Sequence, residues 1–109
     1  GKGGRMVLVG AKPALENSAG GHQMVAYTLA KTLVIKFAEM LNDAGQEHDV
    51  VTSVITPSII DTEANRSAMP DADHSKWPKS EQLAKVIFFA CSDDAAVVRQ
   101  PVYRVYGHS

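Results

Sequence analysis

The chain has 109 residues, the size of one small domain. Its formal net charge of -1 and pI near 6.5 leave no broad basic surface, which argues against nucleic acid and anionic membranes as partners. No apolar run approaches the roughly 20 residues that a bilayer-spanning helix needs, and residues 5–10 are too short for the apolar core of a secretory signal. Cys91 is the single cysteine, so no internal disulfide can form and a reducing, cytoplasmic setting is the natural expectation.

Met6-Val7-Leu8-Val9 is a short continuous apolar run that stops at Gly10. Such a run fits a strand buried on both faces, as in a parallel sheet. Residues 12–21 are rich in Pro, Asn, Ser and Gly and read as a loop. A helix of about five turns is expected over 22–44, with Val25, Leu29, Leu33, Phe37 and Leu41 as its apolar stripe and Gly45 as its stop. Residues 50–55 carry β-branched Val50, Val51, Val54 and Ile55 and read as the second strand.

From 56 to 79 the pattern breaks. Pro57, Pro70 and Pro78 punctuate a long polar stretch with little periodicity, which reads as a loop of functional length. Ser80 is the expected N-cap of a second helix, with Glu81 favourable in its first turn. Leu83, Val86, Ile87, Phe89 and Ala90 would form its apolar face, which also takes in Cys91 as a buried residue. Residues 102–106 close the chain as a last strand. The order strand, helix, strand, helix, strand predicts an α/β fold built on a parallel sheet with right-handed crossovers.

Tyr27 and Lys31 are the residues that point to chemistry. Four apart on a helix, they share one face. A positive charge beside a phenol favours the phenolate, and a phenol tuned in this way can pass a proton to or from a reacting atom. With three Tyr and seven Lys in 109 residues, chance alone yields this spacing in about one chain in five. The spacing therefore gains its weight from its surroundings. His22, His48, His74 and His108 lack ligand-like spacing, so no metal site is expected. Asp71, Asp73 and His74 read as a solvated loop, and Asp93-Asp94 as a turn.

Several sequence words fall in a telling order: Gly10-Ala11-Lys12 with Ala14-Leu15, the Tyr27/Lys31 pair, Thr56-Pro57, Asp61-Thr62, Asn65-Arg66, Met69-Pro70, Ala72-Asp73, Ser75 and Trp77. Together they resemble the C-terminal half of the short-chain dehydrogenase/reductase family, within it the dihydropteridine reductase branch. The resemblance covers nearly the whole chain and weakens after Ser92. It implies the C-terminal half of a Rossmann-like, doubly wound parallel sheet. Residues 1–109 would then be a partial NAD(P)-binding domain that carries the catalytic helix.

The resemblance also implies roles. Tyr27 would be the proton donor and Lys31 its partner, holding the nicotinamide ribose. Pro57, Ser58, Ile60 and Thr62 would receive the nicotinamide carboxamide, and Ala11 and Trp77 would face the substrate, with residues 63–79 as a covering loop. The cofactor would be NAD or NADP and the reaction hydride transfer to a small molecule.

The chain departs from the family at Ala11, where most members carry a serine, and at Ser58, where a glycine is usual. Ser18 could substitute for the absent hydroxyl. The Gly-rich phosphate turn that should follow a strand is absent: Gly1-Lys2-Gly3-Gly4 has no strand before it, and Gly20-Gly21 lacks the pattern. The N-terminal nucleotide-binding half is therefore expected to be missing. Its loss leaves a strand edge that a companion segment, or a homo-oligomer formed through the Tyr27 helix, would cover. The alternative is a non-catalytic α/β association module.

Overall fold

The computed structural model describes residues 3–16 and 24–109. Three parallel strands form one sheet in the order β1-β2-β3: β1 is Gly4–Val9, β2 is Val50–Pro57 and β3 is Val102–Val105. The register pairs Val9 with Ile55, and Pro57 with Val105, so all three strands run their carboxyl ends to one edge. The expected parallel α/β arrangement is what the chain adopts.

The central strand carries the core. Val51, Val54 and Ile55 are buried, as expected for β-branched residues in a strand covered on both faces. Thr52, Ser53 and Thr56 are buried with them, and Thr52 Oγ1 has no hydrogen-bond partner among the described residues. Thr56 Oγ1 donates to the Tyr103 carbonyl at 3.1 Å. Asn42 pairs with the Thr52 backbone, its Oδ1 accepting from the amide at 2.6 Å and its Nδ2 donating to the carbonyl at 2.9 Å.

Helix α1 spans Val25–Gly45. The earlier part of the expected helix, including His22, lies outside the described residues, as do Ser18 and Gly20-Gly21. The expected stripe does not face the sheet. Val25, Leu29, Leu33 and Phe37 are exposed, Leu33 at 68% and Phe37 at 53%, and only Leu41 is partly covered. The residues that lie against the sheet are Lys31, Ile35, Ala38, Asn42 and Gly45, spaced three or four apart on another face. Two of these are small, which lets the helix axis approach β2.

Gly45 is the last residue of α1 but does not supply a left-handed stop: its φ is -84°. A further helical turn, Gln46–His48, follows, and Asp49 takes the left-handed conformation at φ 54°. Gly45 is there for space, since a Cβ would lie 2.8 Å from the Val50 carbonyl oxygen.

The segment after β2 is not irregular throughout. Helix α2, Glu63–Ala68, and a single turn over His74–Lys76 interrupt it. Helix α3 is Ser80–Ala90. Its N-cap is Lys79 rather than Ser80, and Gln82 Oε1 accepts from the Lys79 amide at 2.9 Å. Ala90 is buried, whereas Phe89 and Cys91 are exposed, so the thiol lies off the packed face expected to hold it. Among the described residues no helix is long and apolar enough to cross a membrane.

Candidate active site

Ala11, Tyr27, Lys31 and Pro57 lie toward the carboxyl edge of the sheet, and Ser58, Ile60, Thr62 and Trp77 follow in the segment after β2. In open α/β sheets this edge is where ligands bind. β1 ends at Val9, and Gly10 donates to the Ile55 carbonyl at 2.8 Å. A Cβ on Gly10 would meet Val54 Cγ1 at 3.1 Å and Thr56 Cγ2 at 3.2 Å, so the chain leaves the strand in close contact with β2. Ala11 follows, buried at 4% exposure, and a turn over Lys12–Ala14 opens behind it.

Lys31 reaches this edge from α1. Its Nζ donates to the Val9 carbonyl at 3.1 Å and lies 5.9 Å from the centre of the Tyr27 ring. The helical spacing therefore places ammonium and phenol side by side at the end of β1. Tyr27 is half exposed, which leaves its ring open to a ligand at this edge.

β2 ends at the buried Pro57, and Ser58 turns toward the chain's last residues. The Ser58 amide donates to the Val105 carbonyl at 3.3 Å, and its hydroxyl donates to the Tyr106 carbonyl at 3.1 Å and meets the Ser109 hydroxyl. Ile60 is held through its carbonyl, which accepts from Asn65 Nδ2 at 2.8 Å. Thr62 is the N-cap of α2, its hydroxyl accepting from the Asn65 amide at 3.2 Å. Thr and Asn at these positions start a helix even in a segment without an apolar stripe.

Residues 61–79 form a closed loop with a defined neck. The Asp61 amide donates to the Pro78 carbonyl at 2.8 Å, and the Asp61 and Lys79 backbones pair as a single parallel β-bridge. Arg66 grips Asp61 with two bonds, Nε to Oδ1 at 2.6 Å and an Nη to Oδ2 at 2.9 Å. The Arg66 hydrogen bond holds the Asp61 carboxyl below the usual carboxylate range, against an opposing effect of desolvation. Within the loop, the Ser75 hydroxyl and backbone amide hold the Asp73 carboxyl low in the same way. Trp77 is 6% exposed and packs on the His74 ring, centroids 4.6 Å apart, while His74 Nε2 lies 2.7 Å from the Met69 carbonyl. The Asp61–Arg66 clasp and the two-sided hold on the Ile60–Asp61 peptide are features that sequence reasoning passed over. The adjacent words Asp61-Thr62 and Asn65-Arg66, one helical turn apart, were the available signal.

No protein-family model matches the chain. Solved structures do. A short-chain type dehydrogenase/reductase from Mycobacterium ulcerans superposes with a TM-score of 0.85 at 22% identity, covering 98% of this chain and 42% of its own. Acetoin dehydrogenase from Enterobacter cloacae gives 0.78 at 20% identity, covering 98% and 43%. A Serratia marcescens short-chain dehydrogenase/reductase gives 0.81 at 19% identity, covering 98% and 46%.

The fold is part of the Rossmann-like fold of short-chain dehydrogenase/reductases. At these identities the likeness concerns the fold, and the chain spans less than half the length of the structures it matches.

Two shallow recesses lie away from this edge. One, about 50 Å³, is bordered by Ala38, Asn42, Thr52 and Gln100, and the other, about 30 Å³, by Gln46, Val50 and Arg99. Both lie toward the amino ends of β2 and β3 and have room for a water or two rather than a cofactor. Position at the carboxyl edge and chemistry are therefore better guides to the site than concavity within this chain. Among the described residues no group of three or more His, Cys, Asp and Glu side chains is placed to hold a metal ion.

Proposed function

We propose that this chain is the catalytic half of an NAD(P)H-dependent short-chain reductase of the dihydropteridine reductase type, its phosphate-binding half lying on a companion segment. The observation that carries the reading is the Lys31 ammonium placed between the Val9 carbonyl and the Tyr27 ring, at the carboxyl edge of a sheet with this fold. Tyr27 is assigned as the proton donor to a small-molecule substrate. Lys31 keeps a positive charge beside the phenol and has ammonium hydrogens beyond its bond to Val9 to offer the nicotinamide ribose.

The residues suit the nicotinamide end of a dinucleotide. Pro57, Ser58, Ile60 and Thr62 lie on a turn with fixed backbone, the surface a planar carboxamide requires, and Ala11 and Trp77 are assigned to the substrate side, with residues 63–79 above it. The chain has no Gly-rich turn of the kind that cradles a pyrophosphate after a strand. A bound nicotinamide cofactor supplies the hydride, and the part of this chain's own residues is to orient and protonate.

The exposed apolar stripe of α1 favours a second reading, an association module that pairs through this helix. The two are compatible if the helix pairs with the companion segment that carries the phosphate-binding half. Fluorescence titration of NADH and NADPH against the 109-residue chain, its oligomer preserved, tests the first reading. Saturable micromolar binding supports an assembled cofactor site. No binding up to millimolar concentrations leaves the association module.

A further inference from the structure

The peptide group between Ile60 and Asp61 is held at both ends. Its carbonyl accepts from Asn65 Nδ2 at 2.8 Å, and its N–H donates to the Pro78 carbonyl at 2.8 Å. Pro78 is fully buried, so the acceptor is a fixed point. Flipping this peptide would break both bonds, each worth about 1 kcal/mol net. The stretch before it is braced too, because the Ser58 amide and hydroxyl bond to the Val105 and Tyr106 carbonyls. Only Ile59 and the Ile60 amide stand between the two braces.

Asn65 does two separable things here. Its backbone amide closes the cap on Thr62, which starts α2. Its side-chain amide contributes nothing to α2 itself and is spent on the Ile60 carbonyl. An Asn whose donor is committed to a neighbouring turn sets the direction of that turn's peptides.

We propose that Asn65 is a positioning residue, which presets the Ile60 backbone for the planar amide of a nicotinamide. This deepens the cofactor reading above and rests on it. Presetting matters because a turn that is ordered only on binding subtracts the ordering entropy from affinity. Asn65 touches no reacting atom and acts through Ile60.

The test is an NMR titration of the ¹⁵N-labelled chain with nicotinamide mononucleotide, reading the Ile60 and Asp61 amides. Asn65→Asp is the informative variant. It keeps size, and an acidic side chain is favourable in the first turn of a helix, so α2 is retained while the donor to Ile60 is lost. Asn65→Ser, too short to reach Ile60, serves if the first variant does not fold. Arg66→Met is the control, since it removes the clasp on Asp61 but neither bond to the peptide.

The expected result is saturable shifts at Ile60 in the parent chain, about fivefold to tenfold weaker binding in the Asn65 variants, and a change below about twofold in Arg66→Met. Equal binding by parent and Asn65 variants overturns the role of Asn65 while the cofactor reading stands. No binding by the parent chain overturns the cofactor reading, and this inference with it.

Discussion

The Lys31 ammonium donates to the Val9 carbonyl at 3.1 Å while lying 5.9 Å from the centre of the Tyr27 ring. One side chain thus ties the second turn of α1 to the end of β1 and sets a charge beside the phenol. Lys31 has structural work as well as chemical work. Replacing it by Met should loosen the α1–β1 junction, whereas replacing Tyr27, half exposed, should leave the fold unchanged.

Tyr27→Phe is therefore the cleaner catalytic test. If Tyr27 delivers the proton, its loss should lower kcat of an active preparation about 10²- to 10⁴-fold, the usual contribution of a positioned acid. Cofactor affinity and thermal midpoint should be little changed. Reductase activity that survives Tyr27→Phe would remove Tyr27 from the mechanism.

The outer stripe of α1 gives a second prediction. Leu29, Leu33, Phe37 and Met40 are all more than half exposed in the isolated chain. Covering side chains of this kind is worth about 1.5–3 kcal/mol each when burial is complete. If a second copy covers the stripe, sedimentation velocity should show the parent chain associated and Phe37→Glu and Leu33→Glu shifted toward monomer. A monomeric parent would mean that no second copy covers it. An unchanged association state in both variants would place the interface elsewhere.

That stripe also marks where sequence reasoning stops. The strands, their order along the chain and the Tyr27–Lys31 adjacency were legible from apolar runs and an i, i+4 spacing. But β1, read as buried on both faces, lies at the sheet edge with Met6 and Val9 exposed at 42% and 49%. The phase of α1 was not legible. Its more hydrophobic face, from Val25 to Phe37, points away from the sheet, and its sheet face mixes Lys31, Ala38, Asn42 and Gly45. Hydrophobicity registers that a face is to be covered, not by what, and a face meant for another segment looks like core. Helix α2 was missed for the opposite reason: Glu63–Ala68 has no apolar stripe and is started by Thr62 and Asn65 hydrogen bonds. At Cys91 the expectation failed because the end of α3 packs on a narrower face than its apolar residues suggest: Ala90 is buried, whereas Phe88, Phe89 and Cys91 are exposed.

The neck of the 61–79 loop should respond to acid. The Arg66 hydrogen bond holds Asp61 below the ordinary carboxylate value in the folded chain. A carboxyl lowered in this way stabilises the folded neck at pH values above its unfolded pKa, about 3.9. That contribution is lost as the pH falls through the folded value. The Asp61 carboxyl carbon, followed by NMR, should titrate below the ordinary range in the parent chain and return toward it in Arg66→Met. Coincident titration curves would mean that the clasp does not form in solution.

Gly45 offers a prediction whose sign is decided by contact rather than by backbone conformation. Its φ of -84° is open to any residue, and replacing glycine by alanine at such a position ordinarily stabilises by about 0.4–1 kcal/mol through the unfolded chain. Here the added Cβ would lie 2.8 Å from the Val50 carbonyl oxygen and 3.0 Å from Val50 Cβ. The first of these is backbone of the central strand and cannot swing aside, so α1 must lift from the sheet. Overpacking of this kind costs about 1–3 kcal/mol, which exceeds the entropic gain. Gly45→Ala should accordingly lower the urea midpoint with the slope unchanged. A rise in the midpoint would mean that the α1–β2 junction is looser than the close approach of Gly45 to Val50 requires.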